Sequence, residues 1–476
     1  MLFNSIDFLF FLPVVFFLYW FVTPKNLNNQ NRLLLLSSYF FYACWDYRFL
    51  FLLLFSTFLD YYTGIKMEES LNKRIRKIWL IISVGINLGF LGVFKYYDFF
   101  VLSFAEAGRN LGFDLHPATL NIILPVGISF YTFHGLSYVL DIYYDRIKAE
   151  RNFVEYGVFV SFFPLLVAGP IERATHLLPQ IKKNRTFRYA QAVQGVRQIL
   201  WGLFKKVVIA DNCAMFVDAV FPDYAHASTA QIILAVFLFS FQIYGDFSGY
   251  SDMATGVAKL FGIELLRNFN YPYFSRSIAE FWRRWHISLS SWFRDYLYIP
   301  LGGSRVSKSK QVRNTFIIFL VSGFWHGANW TFIFWGLLHA IYIMPSILFS
   351  TNRQNLEIIA NDSNWPSAKE WMQMIVTFCL SSFAWIFFRA SSMQDAWGLI
   401  SSIGKTNGKI DQLSSAYPLA SIAILLLFEW SNRKTNIPFS NLKNKWVRYL
   451  VYLIILFLIF MMGAFVNPRS FIYFQF

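Results

Sequence analysis

Residues 449–466 read YLVYLIILFLIFMMGAFV and contain no charged side chain. An α-helix of this length spans about 27 Å, close to the roughly 30 Å hydrocarbon core of a bilayer, so the segment predicts a transmembrane helix. Comparable apolar runs occur at 8–22, 33–45, 49–65, 78–102, 119–141, 153–168, 229–246, 313–328, 329–348, 370–388 and 417–430. The sequence therefore predicts an all-α polytopic membrane protein.

The composition supports a membrane location. Of the 476 residues, 56% are hydrophobic and 21% aromatic, whereas soluble domains contain about 45–50% apolar residues. The net charge of +15 comes from short clusters of Lys and Arg between the apolar runs. Such clusters indicate membrane topology, and no polar stretch is long enough to form a nucleic-acid-binding domain. The three cysteines, at 44, 213 and 379, lack the paired spacing of zinc or redox motifs.

Basic clusters next to apolar runs predict the orientation, because Lys and Arg are enriched in cytoplasmic loops. We expect four regions in the cytoplasm: Lys25 with Arg32, 66–77, 146–151 and 433–448. Both termini then lie outside. The first run, 8–22, is retained as a span because no basic segment precedes it and no cleavage site follows it.

Two stretches, 186–222 and 274–300, mix aromatic, apolar and charged residues. This pattern is typical of helices that lie in the interface or enter the protein interior. No internal repeat, low-complexity linker or soluble domain is found. We therefore expect one membrane domain over residues 1–476, whose final span and outer-face tail occupy 449–476.

Seven histidines divide by their surroundings. His116, His176 and His226 lie in polar segments, where a solvated surface role is expected. The other four are embedded in apolar or aromatic sequence, where ionisable groups often mark function; they are His134, His286, His326 and His339. His134 and His339 each stand alone on an apolar helix, where a histidine hydrogen-bonded between helices is expected.

His326 has the most distinctive environment, in the segment GFWHGANW at 323–330. Its glycines allow backbone or substrate to approach closely, while Trp325, Asn329 and Trp330 offer an apolar wall and hydrogen bonds for a substrate. A histidine of near-neutral pKa can take a proton from a hydroxyl as that hydroxyl attacks a thioester. No second histidine or carboxylate stands at helical spacing for a metal, so we expect none.

The order of six segments resembles a known family. They are LPVGISFYTF (124–133), FFPLLVAGPI (162–171) with Arg173, GDFSGYSDMA (245–254), EFWRRWHISLS (280–290), WFRDYLYIPLGG (292–303) and GFWHGANW (323–330). Together they resemble the membrane-bound O-acyltransferases (MBOAT) of the bacterial alginate O-acetyltransferase type. One departure is Leu266-Arg267, where relatives often carry a proline. It affects the expected shape of a loop and not the chemistry.

The resemblance implies a fold and a site. The fold would have about 11–13 transmembrane helices, with re-entrant and interfacial helices around a central tunnel. His326 would be the catalytic histidine, and His286 the second histidine of interest, on the cytoplasmic approach of the donor. Arg283 and Asp246, within the matching segments, are further candidates for substrate binding.

The chain ends in FIYFQF at 471–476, of the form F-x-Y-x-x-F. This resembles the terminal motif of a small partner protein in teichoic-acid D-alanylation, where the tyrosine is thought to carry the acyl group. Tyr473 is accordingly a candidate acyl relay on the outer face. The alternative is an aromatic anchor at the membrane interface.

The resemblance also implies a reaction. An acetyl or other short acyl group would pass from a cytoplasmic thioester, acetyl-CoA as donor substrate, across the bacterial inner membrane. It would O-acetylate an extracytoplasmic polysaccharide such as alginate or another exopolysaccharide. No tightly bound cofactor is required, and the expected partner is a periplasmic esterase-like transferase of the SGNH type (AlgJ or AlgX type).

Two other classes remain open from the residues alone. A transporter or glycan flippase could use the intramembrane histidines with Asp246 and Asp252 as a proton relay. It would move substrate without consuming a thioester. A structural subunit of an envelope assembly is the third class, and the intact surroundings of His326 argue against it.

Overall fold

The structure is a computed structural model. It describes residues 1–23, 26–167, 169–405, 410, 414–435, 438–463, 469 and 471–474. Within these ranges the regular structure is helical, with no β-strand. The chain folds into two compact units. Unit 1 comprises residues 1–192 and 257–266, and unit 2 comprises 193–256 and 267–476. The expected single membrane domain stays a prediction.

Among the described residues, nine helices lie wholly in unit 1. They are α1 (Ile6–Phe17), α2 (Leu27–Ala43), α3 (Arg48–Glu69), α4 (Lys73–Leu91), α5 (Tyr97–Asn110), α6 (Ile128–Tyr143), α7 (Phe153–Ser161), α8 (Phe163–Leu166) and α9 (Ala174–Ile181). π-Helical segments extend α1 over Leu18–Val22 and join α4 to α5 over Gly92–Tyr96.

The remaining helices lie wholly or mainly in unit 2. They are α10 (Tyr189–Phe204), α11 (Asp211–Val220), α12 (Thr229–Leu260), α13 (Ile278–Arg284), α14 (Ile287–Phe293), α15 (Lys308–His326), α16 (Trp330–Leu348), α17 (Ala368–Arg389), α18 (Met393–Ser402), α19 (Ala416–Asn432) and α20 (Lys445–Met462). π-Helical segments follow α10 at Lys205–Ala210 and α14 at Arg294–Tyr298, and 3₁₀ turns occupy Pro272–Phe274 and Ile472–Phe474.

Six helical stretches among the described residues are long and apolar enough to cross a membrane. They are Tyr47–Glu69, Lys73–Asn110, Thr229–Leu260, Trp330–Leu348, Ala368–Arg389 and Lys445–Met462. Ile6–Val22 and Phe153–Leu166 are shorter apolar stretches. The prediction of an all-α, multi-pass protein is confirmed. The expected number of spans, 11–13, exceeds the six described stretches that are both long and apolar enough to cross a membrane.

Two predicted spans differ from the observed helices. The run 119–141 becomes helical only at Ile128, because Pro125 disfavours a helical residue before it and Gly127 adopts a φ of +74°. The run 153–168 breaks between α7 and α8 at Phe162, which precedes Phe163-Pro164 and has a ψ of 114°. Length and hydropathy alone could not locate these breaks.

Exposed apolar side chains on α20 are consistent with contact to lipid. Leu450, Leu453, Phe457 and Phe460 are all at least half exposed, although water would oppose such a surface.

Unit 1, in contrast, buries a polar network where α3, α4 and α6 pack together. There Asp60 accepts hydrogen bonds from Ser83 at 2.6 Å and from Asn87 at 2.8 Å. The buried Asp60 carboxyl group is thus hydrogen-bonded between α3 and α4.

In unit 2, α15 and α16 form a helical hairpin whose backbones touch at two glycines. A Cβ atom on Gly323 would lie 2.3 Å from the carbonyl oxygen of Phe332, and one on Gly336 would lie 2.2 Å from that of Phe319. These distances are too short for any side chain, since the opposing atoms are backbone. Small residues allow the same close approach between helices in membranes generally. The glycines therefore fix the spacing of the hairpin that ends at His326.

We predict that Gly336→Ala destabilises the protein by about 1–3 kcal/mol, because α15 must move away from α16. Thermal unfolding of the detergent-purified protein measures this as a lower midpoint. Gly89→Ala in α4 is the matched control, because a Cβ atom on Gly89 would meet nothing within 4 Å, and alanine favours helix there. Equal midpoints for both variants would contradict the role assigned to Gly336.

Candidate active site

His326 is the last residue of α15, and the chain turns sharply after it. Gly327 is extended, and a Cβ atom there would lie 2.1 Å from the ring of Phe332. Only glycine therefore allows the chain to pass Phe332 and enter α16 immediately. The motif Trp325-His326-Gly327 thus ends one helix at a buried histidine, whose side chain is 3% exposed.

Aromatic rings surround the His326 imidazole. The centroids of Trp325 and Trp335 each lie 5.0 Å from that of His326, and the Phe388 centroid lies 5.4 Å away. Tyr473 completes this group at 5.6 Å. We call these four rings the aromatic cage. The cage excludes water from the imidazole, and exclusion of water strengthens electrostatic interactions with a reacting group.

His286 lies beside the cage, in the short connection between α13 and α14. Its backbone has a φ of +43°, a left-handed conformation that is strained for a residue other than glycine. The turn is held by a hydrogen bond from the Ile287 amide to the Asn268 carbonyl at 2.9 Å. The His286 ring is fully buried, 6.5 Å from the His326 ring and 4.6 Å from that of Phe247.

Neither ring nitrogen of His286 has a hydrogen-bond partner within the described parts of the chain. Burial lowers the pKa of this imidazole, so His286 is neutral. One ring nitrogen of a neutral imidazole donates and the other accepts. Strained backbone and unsatisfied polar atoms at a buried residue are features that concentrate at functional sites.

Tyr473 reaches the cage from the chain terminus. It lies in the 3₁₀ turn Ile472–Phe474, with its ring 4.8 Å from Phe247 and 5.4 Å from Phe471. Burial raises the pKa of its hydroxyl above the ordinary value. A phenol of raised pKa needs a base to become a nucleophile. Of the F-x-Y-x-x-F motif, positions 475–476 lie outside the described residues.

The structure gives the other predicted substrate-binding residues varied positions. Trp325 lines the cage and is buried. Asp246 is also buried, but it accepts a hydrogen bond from the Ile472 amide at 2.6 Å and pairs with Lys206 at 2.9 Å. Asp246 therefore contacts the chain's own C-terminal segment.

Three predicted residues lie outside the cage. Asn329 caps α16 by accepting from the Thr331 amide at 3.0 Å, and it donates to the Ser391 carbonyl at 2.9 Å. Trp330 is 54% exposed. Arg283 is exposed and donates to backbone carbonyls of residues 352–355. Their predicted role in substrate binding stays a prediction.

Two sequence interpretations concern residues elsewhere. His339 accepts a hydrogen bond from the Trp282 indole at 3.2 Å, as expected of a histidine between helices. His134 is fully buried in unit 1, 6.0 Å from the ring of Phe159. Among the described residues, no three His, Cys, Asp or Glu side chains group as metal ligands would.

A cavity of about 170 Å³ lies in unit 2 between residues of α13, α14 and α15. Its lining includes Ser290, one helical turn after His286, and Ser322, one turn before His326. Trp282 and Phe319 supply apolar walls, and the exposed Arg294 adds a positive charge. The cavity is therefore lined mainly by apolar groups, with two serine hydroxyls and one guanidinium among them.

Sequence reasoning missed the residues that complete the site. Trp335 and Phe388 form two sides of the cage, although an aromatic residue on an apolar helix carries no distinguishing signal. Lys206 was also missed, although its sequence position does carry a distinguishing signal. It follows Lys205 within the apolar stretch WGLFKKVVIA at 201–210, and a lysine in such a segment requires a buried partner.

Comparisons with known proteins identify the family of this chain. A model of the MBOAT, membrane-bound O-acyltransferase family, matches residues 144–393. The chain is 38% identical to the peptidoglycan O-acetyltransferase of Helicobacter pylori, covering 86% of this chain and 80% of that protein. It is 40% identical to the probable alginate O-acetylase AlgI of Pseudomonas aeruginosa, covering 83% and 74%.

A more distant relative is the teichoic acid D-alanyltransferase of Bacillus subtilis, 28% identical over 57% of this chain and 70% of that protein. The family model covers just over half of the chain, and the two nearer relatives align with most of it. The resemblance inferred from the ordered motifs is therefore confirmed: the chain belongs to the membrane-bound O-acyltransferase family and is a multi-pass membrane O-acyltransferase.

Proposed function

We propose that this protein transfers an acetyl group from a cytoplasmic thioester, acetyl-CoA, to the hydroxyl of Tyr473, for onward O-acetylation of an extracytoplasmic polysaccharide. The observation that carries the proposal is the contact between the buried His326 imidazole and the Tyr473 ring, with 5.6 Å between ring centroids. A base and a hydroxyl nucleophile share one water-poor cage. This pairing is the minimum that acyl transfer to a hydroxyl requires.

In the first step, His326 takes the proton of the Tyr473 hydroxyl while the phenolic oxygen attacks the thioester carbonyl carbon. A C–O bond forms and the C–S bond breaks. The leaving thiolate recovers the proton from the imidazolium. His286, as a neutral imidazole beside this pair, donates a hydrogen bond to the carbonyl oxygen as negative charge develops on it.

The cavity between α13, α14 and α15 supports an approach for the donor. Its apolar walls and its two serine hydroxyls suit the amide-containing arm of a thioester such as acetyl-CoA. Arg294 has a largely exposed side chain that pairs with Asp295 at 2.7 Å, and it would contact a phosphate of that donor. The acyl carbon would then reach the histidines while the bulky, charged part stays outside.

A tyrosine ester is a chemically sensible relay. Phenols have a pKa near 10, close to that of thiols at about 8.5. Passing acetyl from a thiol to a phenol therefore changes its free energy little, and the ester stays reactive toward a sugar hydroxyl. The relay divides a difficult crossing into two easier steps.

Relatives and charge support the proposed acceptor and orientation. Two relatives are named for acetylation of peptidoglycan or alginate, which supports a polysaccharide acceptor here. The basic region before α20 supports a cytoplasmic start for that helix, and therefore an extracytoplasmic tail. In the second step, an esterase-like transferase of the periplasm accepts the acetyl group from Tyr473, which regains its proton.

We predict that His326→Ala lowers O-acetylation of the envelope polysaccharide by about 100-fold or more, because the general base is lost. Acetate released from the glycan by mild alkali measures the effect, at matched protein levels in the membrane. His116→Ala is the control, since that side chain is 91% exposed. Acetylation retained by His326→Ala would contradict the assignment.

Tyr473→Phe tests the relay with little change in packing. The phenylalanine ring keeps the contacts of the tyrosine ring and removes only the acceptor oxygen. We predict that glycan acetylation falls to background, as measured by the released acetate. Tyr417→Phe, at a position that is 65% exposed in the same unit, should acetylate normally. Unchanged acetylation in Tyr473→Phe would refute the relay.

A further inference from the structure

The segment that carries Tyr473 is tied to unit 2 by several polar contacts. Lys206 donates from Nζ to the backbone carbonyl of Arg469 at 3.2 Å. Asp246 accepts from the Ile472 amide at 2.6 Å. The Arg469 guanidinium pairs with Asp218. Chain termini are usually poorly ordered unless they are tied down, and these contacts lie directly before Tyr473.

Lys206 and Asp246 are deeply buried, with 1% and 3% of each residue exposed. Lys206 lies in the π-helical segment after α10, and Asp246 lies on α12. An ammonium group has three donors. Those of Lys206 meet Asp211 at 2.8 Å, Asp246 at 2.9 Å and the Arg469 carbonyl. The C-terminal segment thus supplies the third acceptor of a buried lysine.

The adjacent Lys205 offers an internal comparison. It pairs with Asp252 at 2.6 Å and donates to the Ser248 hydroxyl at 2.8 Å. Asp252 lies on α12 like Asp246, six residues further along. Two neighbouring lysines therefore pair with two acids of one helix. The described contacts link the Lys206 and Asp246 pair to the C-terminal segment, and those of the Lys205 and Asp252 pair do not.

The hydrogen bond to Asp246 also sets the register of Tyr473. Asp246 and Phe247 are neighbours on α12, and Ile472 and Tyr473 are neighbours in the C-terminal segment. Fixing the Ile472 amide on Asp246 brings the Tyr473 ring to 4.8 Å from that of Phe247. On the other side, Phe471 packs 4.6 Å from Tyr250, one turn along α12. A shift of one residue would remove Tyr473 from the cage.

We infer that Lys206 and Asp246 are positioning residues that hold the C-terminal segment so that Tyr473 is presented to His326. The inference rests on the proposed function, since it takes Tyr473 as the acceptor. The sequence marked Asp246 as a substrate-binding residue. On this account the substrate that Asp246 binds is the chain's own C-terminal segment.

The test uses Asp246→Leu, which removes the acceptor of the Ile472 amide while Lys206 keeps Asp211. Asp246→Asn restores a side-chain carbonyl as the acceptor of that amide, and it should restore the hydrogen exchange of the wild-type protein. Asp252→Leu is the matched control, because it removes the acid from the neighbouring lysine without touching the segment. Hydrogen exchange of the C-terminal peptide, read by mass spectrometry on the purified full chain, should become about tenfold faster or more in Asp246→Leu alone.

A second readout separates positioning from general damage. Each variant is given isotope-labelled acetyl-CoA, and both the released thiol and the label on Tyr473 are measured. In Asp246→Leu we expect about 100-fold less labelled tyrosine per thiol released, because misplacing a reacting group by about 1 Å costs that much. Water then accepts the acetyl group in place of the tyrosine. General damage would lower both products together and leave their ratio unchanged.

The outcomes distinguish the two proposals. Label on wild-type Tyr473, with unchanged exchange or an unchanged product ratio in Asp246→Leu, refutes the positioning role alone. Wild-type protein that releases thiol but never carries label refutes the relay, and the positioning role with it. Faster exchange and a lower ratio in Asp246→Leu, with recovery in Asp246→Asn and normal values in Asp252→Leu, support the inference.

Discussion

The site depends on a contact between two distant parts of the chain, the imidazole at the end of α15 and the tyrosine ring near the C-terminus. Their centroids lie 5.6 Å apart inside an aromatic cage. The aromatic rings of the cage contribute burial and shape to the site. The backbone sets the positions of the two side chains. The hairpin of α15 and α16 fixes His326, and buried charged groups fix the segment that carries Tyr473.

Burying these charged groups costs free energy, so their presence in the interior requires a physical reason. Lys206, Asp211 and Asp246 lie in one buried cluster in unit 2. Replacing buried ion pairs by apolar residues is often neutral or stabilising, so stability alone is a weak reason for the cluster. Binding of the C-terminal segment is a stronger one, because a carbonyl and an amide of that segment complete the cluster. The family relationship shows the class of reaction, and under the proposed function this cluster holds the segment that carries the acceptor.

Much of the fold could be predicted from composition and hydropathy, because a bilayer imposes helices of a defined length. The breaks within the predicted spans could not be predicted from composition and hydropathy. Helix α6 begins at Ile128 because of Pro125 and the left-handed Gly127, and α7 ends where Pro164 follows. The site was predicted in part. His326 stood out through its glycines and aromatic neighbours, whereas its proximity to His286 and Tyr473 required the fold. The contacts of two other predicted residues also required the fold: Asn329 caps a helix, and Arg283 binds a loop. Sequence pattern indicates polarity but not the direction of a side chain.

The most direct test of the account is the chemical state of Tyr473 during turnover. Purified protein in lipid nanodiscs is mixed with isotope-labelled acetyl-CoA, quenched within one turnover, digested and examined by mass spectrometry. The account predicts a labelled, hydroxylamine-sensitive ester on Tyr473 in the wild-type protein and none when His326 is replaced by glutamine. Thiol release by the wild-type protein without any ester on Tyr473, or an equal amount of ester in the His326→Gln variant, would contradict it.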